Sequence, residues 1–210
     1  MCKKIIISPH VDDDVLGCGG ILDENCFVLY CGLDETGIPD RPSEQERIDE
    51  IHAVMSITHH NYKILDNLVN HYTEQQLIGQ IERVINVEKP DEVYVCHPSY
   101  NQDHRAVYDA TMVALRPHDK NHFVKRVFVY EQPHMLFWDN GGVDFKPNYF
   151  VDIEKELNKK MNAMKKYKNE IRKFPHPRSL ENIKNSAKRW GTVCGFNAAE
   201  AFQIAHKIQM

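Results

Sequence analysis

Two clusters of histidine and aspartate are the residues of this chain best suited to bind a metal ion. His10 and Asp13 stand three positions apart in a loop that enters a helix, so an imidazole nitrogen and a carboxylate oxygen can reach one ion. His104, from a second cluster that begins at His97, would add a second imidazole. Two histidines and one carboxylate leave a coordination position open for water, which is typical of catalytic zinc sites.

The chemistry expected of such a site is hydrolysis. Zinc lowers the pKa of a bound water to about 7, so that hydroxide is present at neutral pH. A second carboxylate beside that water could act as general base, and Asp12 fits because it adjoins a ligand without being one. The same ligand set also suits non-haem iron, so the residue types leave zinc and iron(II) open.

Both clusters directly follow segments that are predicted to be buried strands, at 3–8 and 92–96. Strands and helices alternate over the first 130 residues, which favours βαβ units around a parallel sheet. Ligands of open α/β sheets bind outside the carboxyl ends of the strands, so we expect the two clusters to converge there. The predicted fold is one three-layer α/β/α domain over residues 1–210, with a mostly parallel, Rossmann-like sheet of about five or six strands.

The C-terminal part of the chain is predicted to be mostly helical. Apolar residues recur at spacings of three and four from Ile153 to Ile171, which is typical of an amphipathic helix. Residues 198–208 also have the composition of a helix. The lysines of the first helix fall mostly off its apolar stripe, so we expect a solvated face formed by Lys159, Lys160, Lys165, Lys166 and Lys168.

Composition excludes several classes of partner. The chain has 210 residues and a formal charge of −4, without the basic excess that is typical of nucleic-acid binders. It has no apolar stretch of about 18 residues, so no membrane-spanning helix is predicted. No Gly-x-Gly-x-x-Gly loop follows the first strand, so a dinucleotide cofactor is not implied. Six cysteines without a CxxC pair indicate reduced thiols in a cytoplasmic protein. The oligomeric state cannot be derived from the sequence.

At its two clusters the sequence resembles the LmbE-like (PIG-L) family of zinc-dependent N-deacetylases. The first family motif is an apolar strand, then His-Pro-Asp-Asp-Glu and Val-Leu-Gly-Cys-Gly-Gly, and residues 5–20 follow it closely. The second motif joins His-Pro to Asp-His-Arg-Ala-Val, which here are His97-Pro98 and residues 103–107. Weaker matches, such as Arg47 and Glu50 in an Arg-x-x-Glu pattern, extend the resemblance over nearly the whole chain.

The resemblance implies a role for each candidate residue. The metal ligands would be His10, Asp13 and His104, with Zn2+ as the metal and Fe2+ possible. Asp12 would be the general base that takes a proton from the zinc-bound water. Arg47 and Asp66 would be possible substrate contacts. Asp103 would orient a ligand imidazole.

Three positions depart from the family pattern. Val11 replaces the usual proline and Asp14 the usual glutamate, and neither change removes a ligand. Asn101 stands where several members have a histidine that is credited with helping at the oxyanion or leaving group. Asparagine can donate a hydrogen bond to an oxyanion but cannot shuttle a proton at neutral pH. The general acid therefore stays unassigned among protonated Asp12, His134 and His176.

The function that the resemblance implies is hydrolysis of an N-acetyl group on an amino-sugar-containing small molecule or glycoconjugate. One alternative keeps the metal and replaces the sugar by a non-sugar N-acyl substrate. Another is a sugar-binding module without turnover, against which Asp12 argues, because a pure binder needs no carboxylate beside the metal water. The loops at 32–42 and 132–148 would decide the substrate.

Overall fold

A mixed sheet organises the residues that the computed structural model describes, which are 4–117, 122–132 and 145–208. Within these ranges the sheet has seven strands, namely β1 (Lys4–Ser8), β2 (Cys26–Tyr30), β3 (Asn61–Ile64), β4 (Glu92–Cys96), β5 (Arg126–Tyr130), β6 (Tyr149–Asp152) and β7 (Ala199–Lys207). Their order is β3-β2-β1-β4-β5-β7-β6. The five strands β1 to β5 run parallel to one another, and β7 runs antiparallel to both β5 and β6. The mostly parallel, Rossmann-like sheet is confirmed, with more strands than the sequence predicts.

Helices connect and cover these strands, which confirms the α/β class. They are α1 (Asp13–Cys18), α2 (Glu44–Thr58), α3 (Glu74–Glu88), α4 (Gln102–Ala114), α5 (Leu157–Met164) and α6 (Leu180–Cys194). One group of contacts joins α3 to α4, and another joins α5 to α1, α2 and α6. Right-handed crossovers place the two groups on opposite faces of the sheet. Among the described residues, no helix is long and apolar enough to span a membrane.

The order of the strands reverses between β1 and β4. From β1 the chain moves outward through β2 to β3, and then returns to the other side of β1 for β4 and β5. Connections leave in opposite directions at such a switch point, which opens a crevice outside the carboxyl ends of the two strands. The first cluster follows β1 and the second follows β4, so both reach this crevice.

Local sequence signals explain the elements that frame the crevice. Ile5, Ile6 and Ile7 are fully buried in β1, as expected for a parallel strand that is covered on both faces. Helix α2 begins with a capping box, in which the Glu46 carboxylate accepts the Ser43 N–H at 2.7 Å. The buried first strand that the sequence predicts is thereby confirmed.

The prediction of a helix over residues 198–208 is wrong, because the segment forms strand β7. It pairs with β5 on one side and β6 on the other, so neighbouring strands satisfy its backbone groups. Phe202 is fully buried there and pairs with Tyr130 and Tyr149. Tertiary pairing therefore overrides the helical propensity of the alanines and glutamate.

The long helix predicted from Ile153 to Ile171 is also shorter than expected, since α5 covers only Leu157–Met164. After α5 the chain turns, and two buried side chains of this turn, Tyr167 and Glu170, form hydrogen bonds with residues of α1 and α2. The Tyr167 hydroxyl donates to the Asp14 carboxylate at 3.1 Å, and the Glu170 carboxylate accepts from Arg47 at 2.6 Å. These contacts replace the last turns of the helix.

The expectation of a solvated lysine face fails at Lys160, which is 4% exposed. Its Nζ lies 2.6 Å from Glu200 Oε1 and 2.9 Å from the Leu16 carbonyl oxygen. Lys159 is half-buried and donates to the Leu22 carbonyl oxygen at 2.7 Å, whereas Lys165, Lys166 and Lys168 are exposed, as predicted. Helix α5 is therefore fastened to α1 and β7 through a buried ion pair.

Removal of the Lys160 charge should destabilise the fold. Lys160→Ala leaves the Glu200 carboxylate buried and uncompensated, which typically costs about 3–5 kcal/mol of unfolding free energy. Lys166→Ala, on the same segment but exposed, is the matched control and should change stability by less than about 0.5 kcal/mol. Urea unfolding of both variants measures the difference, and equal stabilities would contradict the structural role.

The stability should also fall in mild acid because of His60, which is buried beside Thr58 at the start of β3. Burial lowers the pKa of His60 from 6.5 to about 4. The folded state therefore binds fewer protons than the unfolded state between these values, and stability is lost as the pH falls through this window, by up to about 3 kcal/mol.

The variant His60→Asn should reduce this pH dependence, whereas His59→Asn at the exposed neighbouring position should retain it. Urea unfolding between about pH 4 and 7 measures both. An unchanged slope in His60→Asn would show that other groups cause the acid sensitivity.

Candidate metal centre and catalytic site

Three side-chain atoms from two distant segments converge in the crevice. His10 Nδ1 lies 3.4 Å from Asp13 Oδ2. His104 Nε2 lies 3.3 Å from Asp13 Oδ2 and 3.3 Å from His10 Nδ1. Ligand atoms of a tetrahedral zinc ion, with bonds of about 2.0–2.1 Å, are about 3.3–3.4 Å apart. The three atoms therefore have the spacing of ligands around one ion, and these residues fit a metal.

The local fold explains how these side chains meet. Asp13 is the first residue of α1 and His104 lies in the first turn of α4, so each stands within one turn of the start of its helix. Asp13 and His104 are buried, while the side chain of His10 keeps 22% exposure toward the cavity. The switch point thus brings residues 94 positions apart in sequence into contact.

Asp103 orients the His10 ring, as the sequence suggested. Its Oδ2 lies 3.0 Å from His10 Nε2 and accepts the Asn70 N–H at 2.7 Å. Asn70 has a φ of 70°, a left-handed conformation that asparagine tolerates, and this turn directs its N–H at the carboxylate. Burial raises the pKa of Asp103, but the bonds from His10 and Asn70 outweigh it and lower the pKa. An ionised Asp103 fixes the proton on Nε2 and leaves Nδ1 as the ligating nitrogen.

The electrostatics of the cluster favour a bound cation. Burial raises the pKa of Asp13, but His104 and His10 lower it well below its usual range, so this carboxylate is ionised. Burial lowers the pKa of His10, but hydrogen bonds with Asp103 and Asp13 raise it to about 10. Two buried carboxylates around one imidazole thus attract positive charge, which a metal ion would supply.

Asp12 is buried beside the ligands but is not part of their triangle. Its φ of 129° is strained for aspartate, and its side chain makes no capping hydrogen bond to α1. Asp12 Oδ2 has no hydrogen-bond partner among the described residues, and Arg178 Nη1 lies 3.5 Å away. Burial raises its pKa, as do Asp13 and Glu170, while Arg178 and His10 lower it, and the result lies well above the usual range. These are the properties of a general base.

Asn101 is the N-cap of α4. Its Oδ1 accepts the Asp103 N–H at 2.8 Å and the His104 N–H at 3.4 Å. Because both partners are donors, they fix the orientation of the amide and turn its NH2 group the other way. Asn101 lines the cavity above the ligands, so this NH2 group is a donor available to a ligand there.

A cavity of about 280 Å³ contains the ligand cluster and extends to a charged outer wall. Arg47 in that wall is buried, and its guanidinium binds three carboxylates, Glu35 at 2.9 Å, Glu50 at 3.0 Å and Glu170 at 2.6 Å. Arg47 therefore lines the cavity as the sequence suggested, with its donors directed mainly at glutamates. It organises the carboxylates of the wall.

The structure does not bring Asp66 to this cavity. Asp66 is exposed and lines a separate depression with Asp34 and Glu44. His176, one of the candidate acids, does line the cavity. His134, the other, lies outside the described residues, as does most of the 132–148 loop.

Sequence reasoning missed several residues of the site. Tyr72 stacks on His10 with ring centroids 6.1 Å apart, and its hydroxyl donates to the Pro9 carbonyl at 2.9 Å. Arg178 and Glu170 come from the segment after α5. The sequence pointed to this segment only through His176, which lies between two prolines and two positions before Arg178. Contacts between residues more than 100 positions apart leave no periodic pattern in a sequence, so the roles of Arg178 and Glu170 could not be predicted.

Residues 5–115 match the family described as PIG-L, GlcNAc-PI de-N-acetylase. This match covers more than half of the chain and contains the three ligands and Asp12. The chain therefore belongs to the PIG-L family, as its motifs indicated.

The chain is also similar to individual proteins. The uncharacterized deacetylase YaiS of Escherichia coli (strain K12) is 29% identical over 180 residues, which are 78% of this chain and 89% of YaiS. The conserved protein TT1542 from Thermus thermophilus superposes with a TM-score of 0.82 at 20% identity, over 100% of this chain and 97% of that one. The N,N'-diacetylchitobiose deacetylase from Pyrococcus horikoshii gives 0.76 at 18% identity, over 97% and 83%. At these identities the two structures establish the fold alone.

The geometry predicts about one zinc ion per chain, lost when a ligand is removed. His104→Ala should weaken zinc binding by more than about 100-fold, because even partners that only orient a ligand contribute about 10–100-fold. Asp103→Asn should fall in that smaller range. Equilibrium dialysis with metal analysis measures the affinities.

Asp12→Asn is the matched control, since it changes the carboxylate next to Asp13 and should keep the ion. Loss of zinc from Asp12→Asn, or its retention by His104→Ala, would contradict the ligand assignment.

Proposed function

We propose that this chain is a metal-dependent N-deacetylase that removes an acetyl group from an amino-sugar-containing small molecule or glycoconjugate. The observation that carries the proposal is the pairing of a metal-spaced triangle, His10, Asp13 and His104, with the buried and uncoordinated Asp12 carboxylate. A metal site without turnover would not need this second carboxylate. Membership of the PIG-L family supports the same reaction.

The three ligands would hold zinc, and the two-histidine, one-carboxylate set leaves room for a water and a carbonyl oxygen. When bound, zinc supplies a Lewis acid that polarises the acetyl carbonyl and acidifies water. Asp103 contributes by holding the His10 ring in the orientation that directs Nδ1 at the cluster.

Asp12 moves the proton in this scheme. Its unpartnered Oδ2 accepts a proton from the attacking water, and burial, which raises the pKa of Asp12, favours transfer of the proton to this carboxylate. The same carboxyl then protonates the departing amine nitrogen. The C–O bond forms first, and the C–N bond of the tetrahedral species then breaks as the carbonyl re-forms. The products are a free amine and acetic acid, which ionises to acetate by releasing the second proton of the water. This assignment provides the general acid that Asn101 cannot be.

Asn101 stabilises the charge that develops on the acetyl oxygen. Its Oδ1 is occupied by two backbone N–H groups of α4, so the NH2 group is the part of the amide that can donate to a substrate in the cavity that Asn101 lines. Donors that are oriented before the reaction lose little energy in reorganisation, and one such donor typically contributes about 10²–10³ in rate.

The polar outer wall supports a hydroxyl-rich substrate. Glu35, Arg41 and Glu170 line the cavity beyond the ligands and can exchange hydrogen bonds with sugar hydroxyls. The deacetylase from Pyrococcus horikoshii, whose fold is shared, acts on N,N'-diacetylchitobiose and supports an N-acetyl sugar. Arg47 acts by fixing two of these carboxylates. Asp66 would contact only the part of a larger substrate that extends beyond the cavity.

Acetate release tests this function. Wild-type protein that is loaded with zinc should release acetate from members of a panel of N-acetylated sugars and sugar nucleotides. Asp12→Asn should lower kcat by about 10²–10⁴, the usual contribution of a general base, while retaining zinc. Asp109→Asn, an exposed aspartate on α4, is the control and should keep wild-type activity.

Three results would contradict parts of the proposal. Full activity in Asp12→Asn would exclude its role as base. Cleavage of non-sugar N-acyl compounds alone would move the substrate to another class of amides. Sugar binding without acetate release would favour a binding module.

A further inference from the structure

The carboxylate of Asp12 has little to hold it in place. The left-handed backbone turns the side chain away from the N-terminus of α1, where aspartates are usually fixed by N–H groups. Oδ2 has no hydrogen-bond partner among the described residues. A buried carboxylate in this position, next to Asp13, needs a positive charge to keep it facing the cavity. The guanidinium of Arg178, 3.5 Å from Oδ2, is placed to supply it.

Arg178 is itself held firmly. Its Nη1 donates to Glu170 Oε2, in a contact shorter than the one to Asp12. The other oxygen of Glu170 accepts from Arg47 at 2.6 Å, and Arg47 is anchored on Glu35 at 2.9 Å. Side chains of alternating charge thus connect helix α2 to the base.

The backbone around Arg178 is fixed as well. Its N–H donates to His176 Nδ1 at 3.0 Å, and its carbonyl accepts the Arg172 N–H at 3.3 Å. The next residue, Ser179, caps α6 by accepting the Asn182 N–H at 3.1 Å. The guanidinium therefore approaches Asp12 from a turn whose backbone is held by hydrogen bonds at Arg178 and at Ser179.

The unequal contacts of Arg178 suit the chemistry of Asp12. At 3.5 Å from Oδ2 the guanidinium attracts the carboxylate without forming a close hydrogen bond to it. Its shorter bond to Glu170 keeps it from moving closer. Oδ2 is thereby directed by charge and still has its lone pairs free to accept a proton.

We propose that Arg178 is a positioning residue, which holds the Asp12 carboxylate toward the metal cluster while Glu170 sets its distance. The proposal rests on the proposed role of Asp12 as base. Arg178 lies beyond residues 5–115, so the matched part of the family does not contain it. The C-terminal segment therefore supplies more than a wall of the cavity, because it completes the catalytic geometry.

The kinetic test uses Arg178→Gln, Arg178→Lys and, as a control from the same loop, Arg172→Gln, whose side chain is exposed. The substrate is the N-acetyl sugar that the wild type cleaves fastest. Arg178→Gln should lower kcat by about 10–100-fold with KM changed less than about threefold, and with zinc retained. Arg178→Lys should recover part of the loss, and Arg172→Gln should behave as wild type.

A double-mutant cycle separates positioning from other roles. If Arg178 acts through Asp12, then Arg178→Gln should cause no further loss of kcat in an Asp12→Asn background. Additive losses would overturn the proposal, as would a rise in KM at constant kcat, which would make Arg178 a substrate contact. Loss of zinc or a large fall in Tm in both Arg178 variants would also overturn it, since the role would then be structural.

A crystallographic comparison does not depend on activity. In zinc-loaded Arg178→Gln the Asp12 carboxylate should rotate away from its wild-type position, with the three ligands unmoved. An unmoved Asp12 would refute the positioning role. If the wild type cleaves no N-acetyl compound, the proposed function fails, and this comparison still decides what Arg178 does.

Discussion

The site depends on the contact between the ends of two parallel strands that are far apart in sequence. Strands β1 and β4 are neighbours because the chain returns past β1 after β3, and the loops that leave them meet only there. Asp13 Oδ2 is close to a nitrogen of both His10 and His104, so this one carboxylate joins the two loops. Two buried carboxylates flank the His10 ring, and in the absence of a metal ion they raise the pKa of His10 to about 10, so positive charge is favoured at this point in either case.

The residues around the cluster offset the cost of burying this charge. Asp103 is satisfied by His10 and by backbone N–H groups, and Asp14 by the hydroxyls of Tyr30 and Tyr167. Asp12 differs, because its Oδ2 has no hydrogen-bond partner in the described structure and its backbone is strained. A buried and unsatisfied carboxylate among satisfied neighbours requires an explanation, which the proposed role of Asp12 as general base would supply.

The sequence could predict what is local. The two motifs and the alternation of strands and helices are patterns within short segments, and the family match and the structure confirm them. The switch-point rule then placed both motifs at one crevice. The family resemblance implied that Asp103 orients a ligand imidazole, and the structure places its carboxylate 3.0 Å from His10 Nε2.

The rest depended on contacts between distant segments. Residues 198–208 have helical composition but form a strand, because β5 and β6 flank them. Periodicity extended α5 through Tyr167 and Glu170, whereas bonds to Asp14 and Arg47 turn the chain there. The link between Arg178 and Asp12 joins residues in opposite halves of the chain, and a single sequence contains no signal for it.

The proposed function requires that His10, Asp13 and His104 hold one metal ion and leave Asp12 uncoordinated. Anomalous diffraction from a zinc-loaded crystal, recorded above and below the zinc absorption edge, tests it most directly. We expect one peak, at bonding distance from His10 Nδ1, Asp13 Oδ2 and His104 Nε2, with the Asp12 carboxylate outside that distance. A peak elsewhere, no peak, or an ion that is coordinated by Asp12 would contradict this assignment.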